Sequence, residues 1–198
     1  MRSDIIWTRL IHCRIDISKK GIAGRAILID WYAWAETQGI QVDAMSPQEV
    51  PFSDIEKVLR HQGQGMSVFR PGDIIIIRFG YIEQYETMSS EKRQRLGELY
   101  KTQKPDNIGF RPSQELLEFL WNNKVAAIGG DTRSLEVWPC KELDWYLHEW
   151  LLAGWGMPIG ELFYLDDLTN ICRDLKRYTF FLSSSPMNVS SIFPENNE

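Results

Sequence analysis

With 198 residues, 43% of them apolar, the chain has the length of one compact domain and ample material for a core. Twenty-two basic against twenty-seven acidic residues leave a formal charge of −5, which argues against nucleic acid or an anionic membrane as main partner. Cys13, Cys140 and Cys172 are odd in number and far apart, no apolar run of roughly eighteen residues occurs and no signal peptide opens the chain. These features argue against a disulfide framework or a membrane span, and a reducing, cytoplasmic setting is expected.

The first twenty residues carry Ile5, Ile6, Trp7, Leu10 and Ile11 without a cap, apolar material that expects a partner. Ala26–Asp30, after Gly21 and Gly24, reads as a buried strand, and Trp31–Gln38 as a helix stopped by Gly39. Ser53 as N-cap with Glu56 at the capping-box position predicts a helix to about Gln62. Arg70–Asp73 is a turn, and the four isoleucines Ile74–Ile77 predict a strand buried on both faces, closed by Arg78, Phe79 and Gly80. Ser89–Tyr100 reads as a charged surface helix, with Lys92, Arg93 and Arg95 on a solvated face. Lys101–Asn107 is a polar connector, and Ser113 opens a helix through Asn122 with Leu116, Leu117 and Leu120 on its apolar face.

Val125–Ile128 predicts a third strand ending in Gly129-Gly130-Asp131, Asp167–Lys176 a helix, and Tyr178–Leu182 a fourth strand. Strands and helices alternate, so the expected class is α/β with a mixed sheet. The expected organisation is a single domain over residues 1–189 with a loose tail over 190–198.

Chemistry is sought first around His148. Gly154, Gly156, Pro158 and Gly160 follow it at every second position and cannot continue a helix. A helix ending near Ala153, a tight loop and a new element near Glu161 would fold Glu161 back toward His148, giving half of a metal site or an acid–base pair. The competing reading keeps His148 as a buried residue bonded to backbone and Glu161 in the first turn of a helix.

Asp131 and Glu136 follow a buried strand, where ligands bind in α/β sheets; Asp131 equally suits a turn cap. Arg78 suits either an anionic substrate group or an ion pair. Trp138, Trp145, Trp150 and Trp155 read as pocket wall or subunit interface, or as core. His12 and His61 lie in polar settings unsuited to catalysis. GxSxG, Walker and GxGxxG motifs are absent, so a nucleotide binder has only the strand/helix alternation behind it.

The motifs GIAGRAILID (Gly21–Asp30), RPGDIIIIRFGY (Arg70–Tyr81), AAIGGDTRSLEVWP (Ala126–Pro139), LHEWLLAGWGMPIGELFYLDDL (Leu147–Leu168) and FFLSSSPMNV (Phe180–Val189), in this order, resemble the cyclase family. These are metal-dependent hydrolases related to kynurenine formamidase and isatin hydrolase, and the likeness is strongest to longer fungal members. The resemblance implies an α/β fold around a β-rich core and homo-oligomers. It also implies zinc or manganese, a small-molecule formamide or lactam substrate, and a metal-activated water that attacks the C–N bond, as in tryptophan catabolism. By resemblance His148 and Glu161 are metal ligands and catalytic residues, while Asp131, Ser134 and Glu136 lie beside the substrate; Arg78, from its place at the strand end rather than by resemblance, is a further candidate substrate contact.

The family's upstream His-x-x-Thr-His-x-Asp ligand segment is missing from the sequence. The chain is therefore expected to be truncated and to lack N-terminal strands, with the metal weakly bound or absent. The alternative is an inactive relative serving as a binding or assembly module.

Overall fold

The computed structural model describes residues 20–185. Backbone contacts divide the chain into a large unit, Arg25–Phe180, and a small one made of the stretches before and after it. The apolar segment around Trp7, together with His12, Cys13 and the polar tail, lies outside the described residues. Along the chain the elements are β1 (Ile22–Asp30), α1 (Trp31–Thr37), β2 (Glu49–Val50), α2 (Ser53–His61), β3 (Ile74–Arg78), α3 (Tyr81–Glu86) and α4 (Ser90–Leu99). There follow β4 (Gly109–Phe110), α5 (Gln114–Asn122), β5 (Ala127–Gly130), β6 (Ile159–Gly160), α6 (Asp166–Asp174) and β7 (Thr179–Ser184), with a π-helical stretch over Glu149–Trp155.

Five strands form one mixed sheet in the order β6-β5-β3-β1-β7. The pairs β1–β3, β3–β5 and β5–β6 are parallel, with Ala26 opposite Ile74, Ile75 opposite Ile128, and Gly129 opposite Gly160. Its central strand is the isoleucine run, where Ile74, Ile75, Ile76 and Ile77 are all buried, as expected of a parallel strand covered on both faces. A second, two-stranded parallel ribbon pairs β2 with β4. The class is α/β, as the alternating pattern predicts.

Local departures have local causes. Ser53 does not cap α2; the helix begins one residue earlier, with Phe52 at the cap position and Ile55 N–H donating to its carbonyl, so Ser53 lies in the first turn. The helix α3 follows Gly80 directly, at φ +88°, and was not predicted from the sequence. A Cβ on Gly80 would stand 2.4 Å from a Tyr32 ring carbon, so glycine is required on both counts. The segment at His148 forms a π-helix that incorporates Gly154 and ends at Gly156, and β6 precedes Glu161 where a helix start was the alternative.

One carboxylate ties the ends of β3 and β5 together. Asp131 is 1% exposed. Its Oδ1 accepts the Phe79 N–H at 2.7 Å, and its Oδ2 accepts the N–H groups of Gly80 and Tyr81 at 2.8 and 2.9 Å. Burial pushes its pKa up to about 6, against the pull of these donors and of Arg78.

Asp131→Ala leaves three buried N–H groups without an acceptor. It should destabilise the protein by roughly 3 to 5 kcal/mol, read as a lowered midpoint in denaturant unfolding. The pH dependence has a definite sign. The pKa of Asp131 is higher folded than the ordinary 3.8, so the folded state binds the extra proton between the two values. Its contribution to stability is therefore full below about pH 4, falls as pH rises to about 6, and is flat above. In Asp131→Asn that part of the slope should vanish, so an unchanged pH profile of unfolding would contradict the assignment.

Candidate active site

Three predicted residues meet at the carboxyl end of β5. Glu136 stands in the extended segment after β5, where β4 grips it: Phe110 N–H donates to the Leu135 carbonyl and Val137 N–H to the Phe110 carbonyl. The approach is close enough that a Cβ on Gly109 would lie 2.4 Å from the Glu136 carbonyl carbon. Asn107 adds a side-chain bond to the Glu136 carbonyl at 3.4 Å. The Glu136 side chain is fully buried.

His148 sits at the entry of the π-helical stretch. Such local widenings recur at functional sites. Both polar groups of His148 that face inward go to Glu136: the backbone N–H donates to Oε1 at 3.2 Å, and Nδ1 lies 2.7 Å from Oε2. The other ring nitrogen, Nε2, faces Glu161 Oε1 at 3.2 Å. Tyr146 stacks on the imidazole, 5.7 Å between centroids and 25° between planes. The hydrogen bond to Glu136, then the close Glu161 carboxylate, push the His148 pKa up to about 10 against the effect of burial.

Glu161 reaches this place because its loop is pinned to β5. Leu162 N–H donates to the Thr132 carbonyl and Phe163 N–H to the Gly130 carbonyl, both at 3.0 Å. The Phe163 ring then covers Gly129 and Gly160; a Cβ on Gly160 would stand 2.4 Å from its Cζ. Glycine at 160 is thus a close-packing requirement. Glu161 Oε1 is buried and makes no hydrogen bond of good geometry, so its contact with Nε2 is electrostatic and off-axis.

The remaining predicted residues make contacts away from the His148–Glu161 pair. Asp131 holds backbone amides, as the turn-cap reading has it. Arg78 is buried, donates to Asp30 and Asp166 and to Glu83, and lies over the Tyr32 ring. Burial works against its charge, but Asp30 and Asp166 outweigh it and raise its pKa. The guanidinium has no donor directed at Glu161 or His148 among these bonds. Ser134 is half-buried, and its carbonyl accepts the Thr132 hydroxyl. The four tryptophans do not form one cluster: Trp145, Trp150 and Trp155 make a ribbon continued by Trp121, partly exposed, while Trp138 faces Lys104.

Two donors of this site suit one cation. Ligand atoms bound to zinc at about 2.0–2.1 Å and 3.2 Å from each other subtend roughly 100°, near the tetrahedral angle. An orphaned carboxylate oxygen beside an imidazole nitrogen is the donor chemistry zinc or manganese takes. The set stops at two: among the described residues no group of three or more His, Cys, Asp or Glu is placed to hold a metal.

A family model described as "Putative cyclase" matches residues 8–137, well over half of the chain. The chain belongs to the cyclase family. The matched stretch contains Glu136 and ends before His148 and Glu161. Among solved structures, this cyclase-family chain is similar to a crystal structure of a novel cyclase at TM-score 0.66 and 24% identity, covering 86% of this chain and 50% of that one.

It is also similar to isatin hydrolase A from Labrenzia aggregata bound to benzyl benzoate (TM-score 0.52, 16% identity, 84% and 56% covered). An isatin hydrolase bound to the product analogue thioisatinate gives 0.54, 12%, and 84% and 55%. These likenesses establish a shared fold. The chain spans about half the length of each of these structures. No curated protein matches it.

Gly160→Ala should displace Phe163 and the Glu161 loop, costing about 1–3 kcal/mol by overpacking. Thermal melting checks the cost. A melt unchanged from the parent would show that the loop tolerates a Cβ and that the glycine is incidental.

Proposed function

We propose that the chain carries one flank of a hydrolytic site acting on an amide-type C–N bond, a formamide or lactam, in a small molecule. The observation that carries this reading is the convergence, at 3.2 Å, of His148 Nε2 and a buried Glu161 oxygen that has no hydrogen bond. Those two atoms would hold a divalent zinc or manganese ion. When bound, such an ion polarises a carbonyl and lowers the pKa of a water, giving a nucleophile near neutral pH.

The chain's own residues orient and confine. Once the Nε2 proton is displaced, His148 offers that nitrogen's lone pair while Nδ1 stays tied to Glu136. Glu161 supplies negative charge from a fixed loop, and the Tyr146 ring shields one face of the imidazole from water. The cyclase-family membership supports a hydrolase-like chain, and the isatin hydrolase neighbours share its fold. Two protein ligands hold a divalent ion less well than the four of a closed zinc site, so binding by this chain is weak.

The two-donor count also favours a second reading, a non-catalytic relative that binds or assembles through this face. Leu162 and Tyr164, beside Glu161, are more than half exposed.

Zinc titration of the purified chain by calorimetry, with hydrolysis of an aryl formamide followed in parallel, tests both readings. The expected result is weak saturable zinc binding and slow, zinc-dependent formate release. His148→Ala should lower both, by about a hundredfold or more for hydrolysis. Hydrolysis unaffected by His148→Ala would overturn the assignment. Zinc binding without any hydrolysis would favour the binding module.

A further inference from the structure

We infer that Glu136 is a positioning residue that dictates which nitrogen of His148 is left to face the cation, by gripping the backbone and the ring of that residue with one carboxylate. The inference rests on the proposed role of Nε2 and adds the group that sets it.

The geometry is specific. A backbone N–H only donates, so the Glu136 oxygen facing it, Oε1 at 3.2 Å, accepts. The second oxygen, 2.7 Å from Nδ1, is then the acceptor that holds a proton on that nitrogen. In the neutral imidazole this leaves the lone pair on Nε2, which faces Glu161. Carboxylate partners of metal-bound histidines fix ring orientation and tautomer in this way.

Glu136 cannot readily swing away to serve another role. Its side chain is fully buried, its neighbours Leu135 and Val137 are bonded to Phe110, and Gly109 is packed against its own carbonyl. Both oxygens are engaged by a single residue, which also explains why Glu136 makes no contact that would suit a substrate.

A carboxamide at this position would have one acceptor and one donor. The His148 backbone N–H is a fixed donor, so the carbonyl oxygen of Glu136→Gln must face it. The NH2 group then faces Nδ1, which can only accept. The ring proton is thereby moved to Nε2, and the lone pair needed by a cation turns toward the interior. The substitution changes neither side-chain length nor shape, so it inverts the tautomer without opening a cavity.

Proton-detected NMR of the nitrogen-15-histidine-labelled, metal-free chain, taken to a pH above about 10 where the His148 ring is neutral, reads this directly, with the His148 signals assigned by their loss in His148→Phe. The parent should show a downfield, slowly exchanging proton on Nδ1. Glu136→Gln should lose it and carry its proton on Nε2, whereas Glu161→Gln should keep the Nδ1 proton. Zinc affinity should fall about 10- to 100-fold in Glu136→Gln.

An Nδ1 proton missing in the parent, retained in Glu136→Gln, or lost equally in Glu161→Gln would overturn the inference. Should Glu136→Gln fail to fold, the parent and Glu161→Gln spectra still decide it. The expected spectra in a chain that binds no zinc would sustain the positioning role and remove the proposed metal function, so the two fail separately.

Discussion

Two buried carboxylates five positions apart, Asp131 and Glu136, organise the end of the sheet where the candidate site lies. Each is almost wholly removed from water, and neither has its oxygens neutralised by a neighbouring lysine or arginine in direct hydrogen bond. A buried carboxylate persists only where donors replace its lost hydration. Asp131 takes those donors from the backbone at Phe79, Gly80 and Tyr81. Glu136 takes one from the backbone of His148 and one from its ring. The first fixes the β3–β5 end as a frame, and the second fixes an imidazole to that frame.

Glycine makes this arrangement sterically feasible. The Glu136 segment is approached by β4 at Gly109, and the Glu161 loop by the sheet through Gly129 and Gly160, with Phe163 lying across the pair. In each place a Cβ would fall under 3 Å from a heavy atom. Three chain segments that are distant in sequence can therefore come within hydrogen-bond range of one another. The result is a histidine held on both sides by acids, with each acid on a separate element. That division allows one to orient the ring and the other to face what the ring binds.

Much of this was legible in the residues. The isoleucine run predicted its own burial, Ser113 its capping of α5 through the Leu116 N–H, and the alternating glycines predicted the return of Glu161 toward His148. These signals are local, or arise from backbone restrictions that a sequence displays openly. The grip of Glu136 on His148 was not legible, because it depends on β4 pressing the segment into place. A separation of twelve positions matches no helical or strand period.

Asp131 and Arg78 were ambiguous for a related reason. A polar side chain at a strand end suits a ligand or a scaffold, and only the partners of each decide: backbone amides for Asp131, three carboxylates for Arg78. The Ser53 cap failed because Pro51 and Phe52 already start the helical hydrogen bonding, with Asp54 N–H donating to Pro51.

The unpaired oxygen of Glu161 links these geometric facts to the proposed chemistry. Leaving a buried acceptor unsatisfied costs about 1–3 kcal/mol. The loop could relieve that cost by turning the carboxylate to solvent, which the side chain partly reaches. It is instead kept inward by the bonds of Leu162 and Phe163 to β5, opposite a ring nitrogen whose own orientation is fixed from behind. A cation between the two atoms would satisfy the oxygen and the Nε2 lone pair at once. The same charge would draw the imidazole out of its protonated form, since a ligated Nε2 carries no proton. In the metal-free chain the Glu161 oxygen forms an off-axis ion pair with the protonated imidazole, and a cation could replace that proton between the same two atoms.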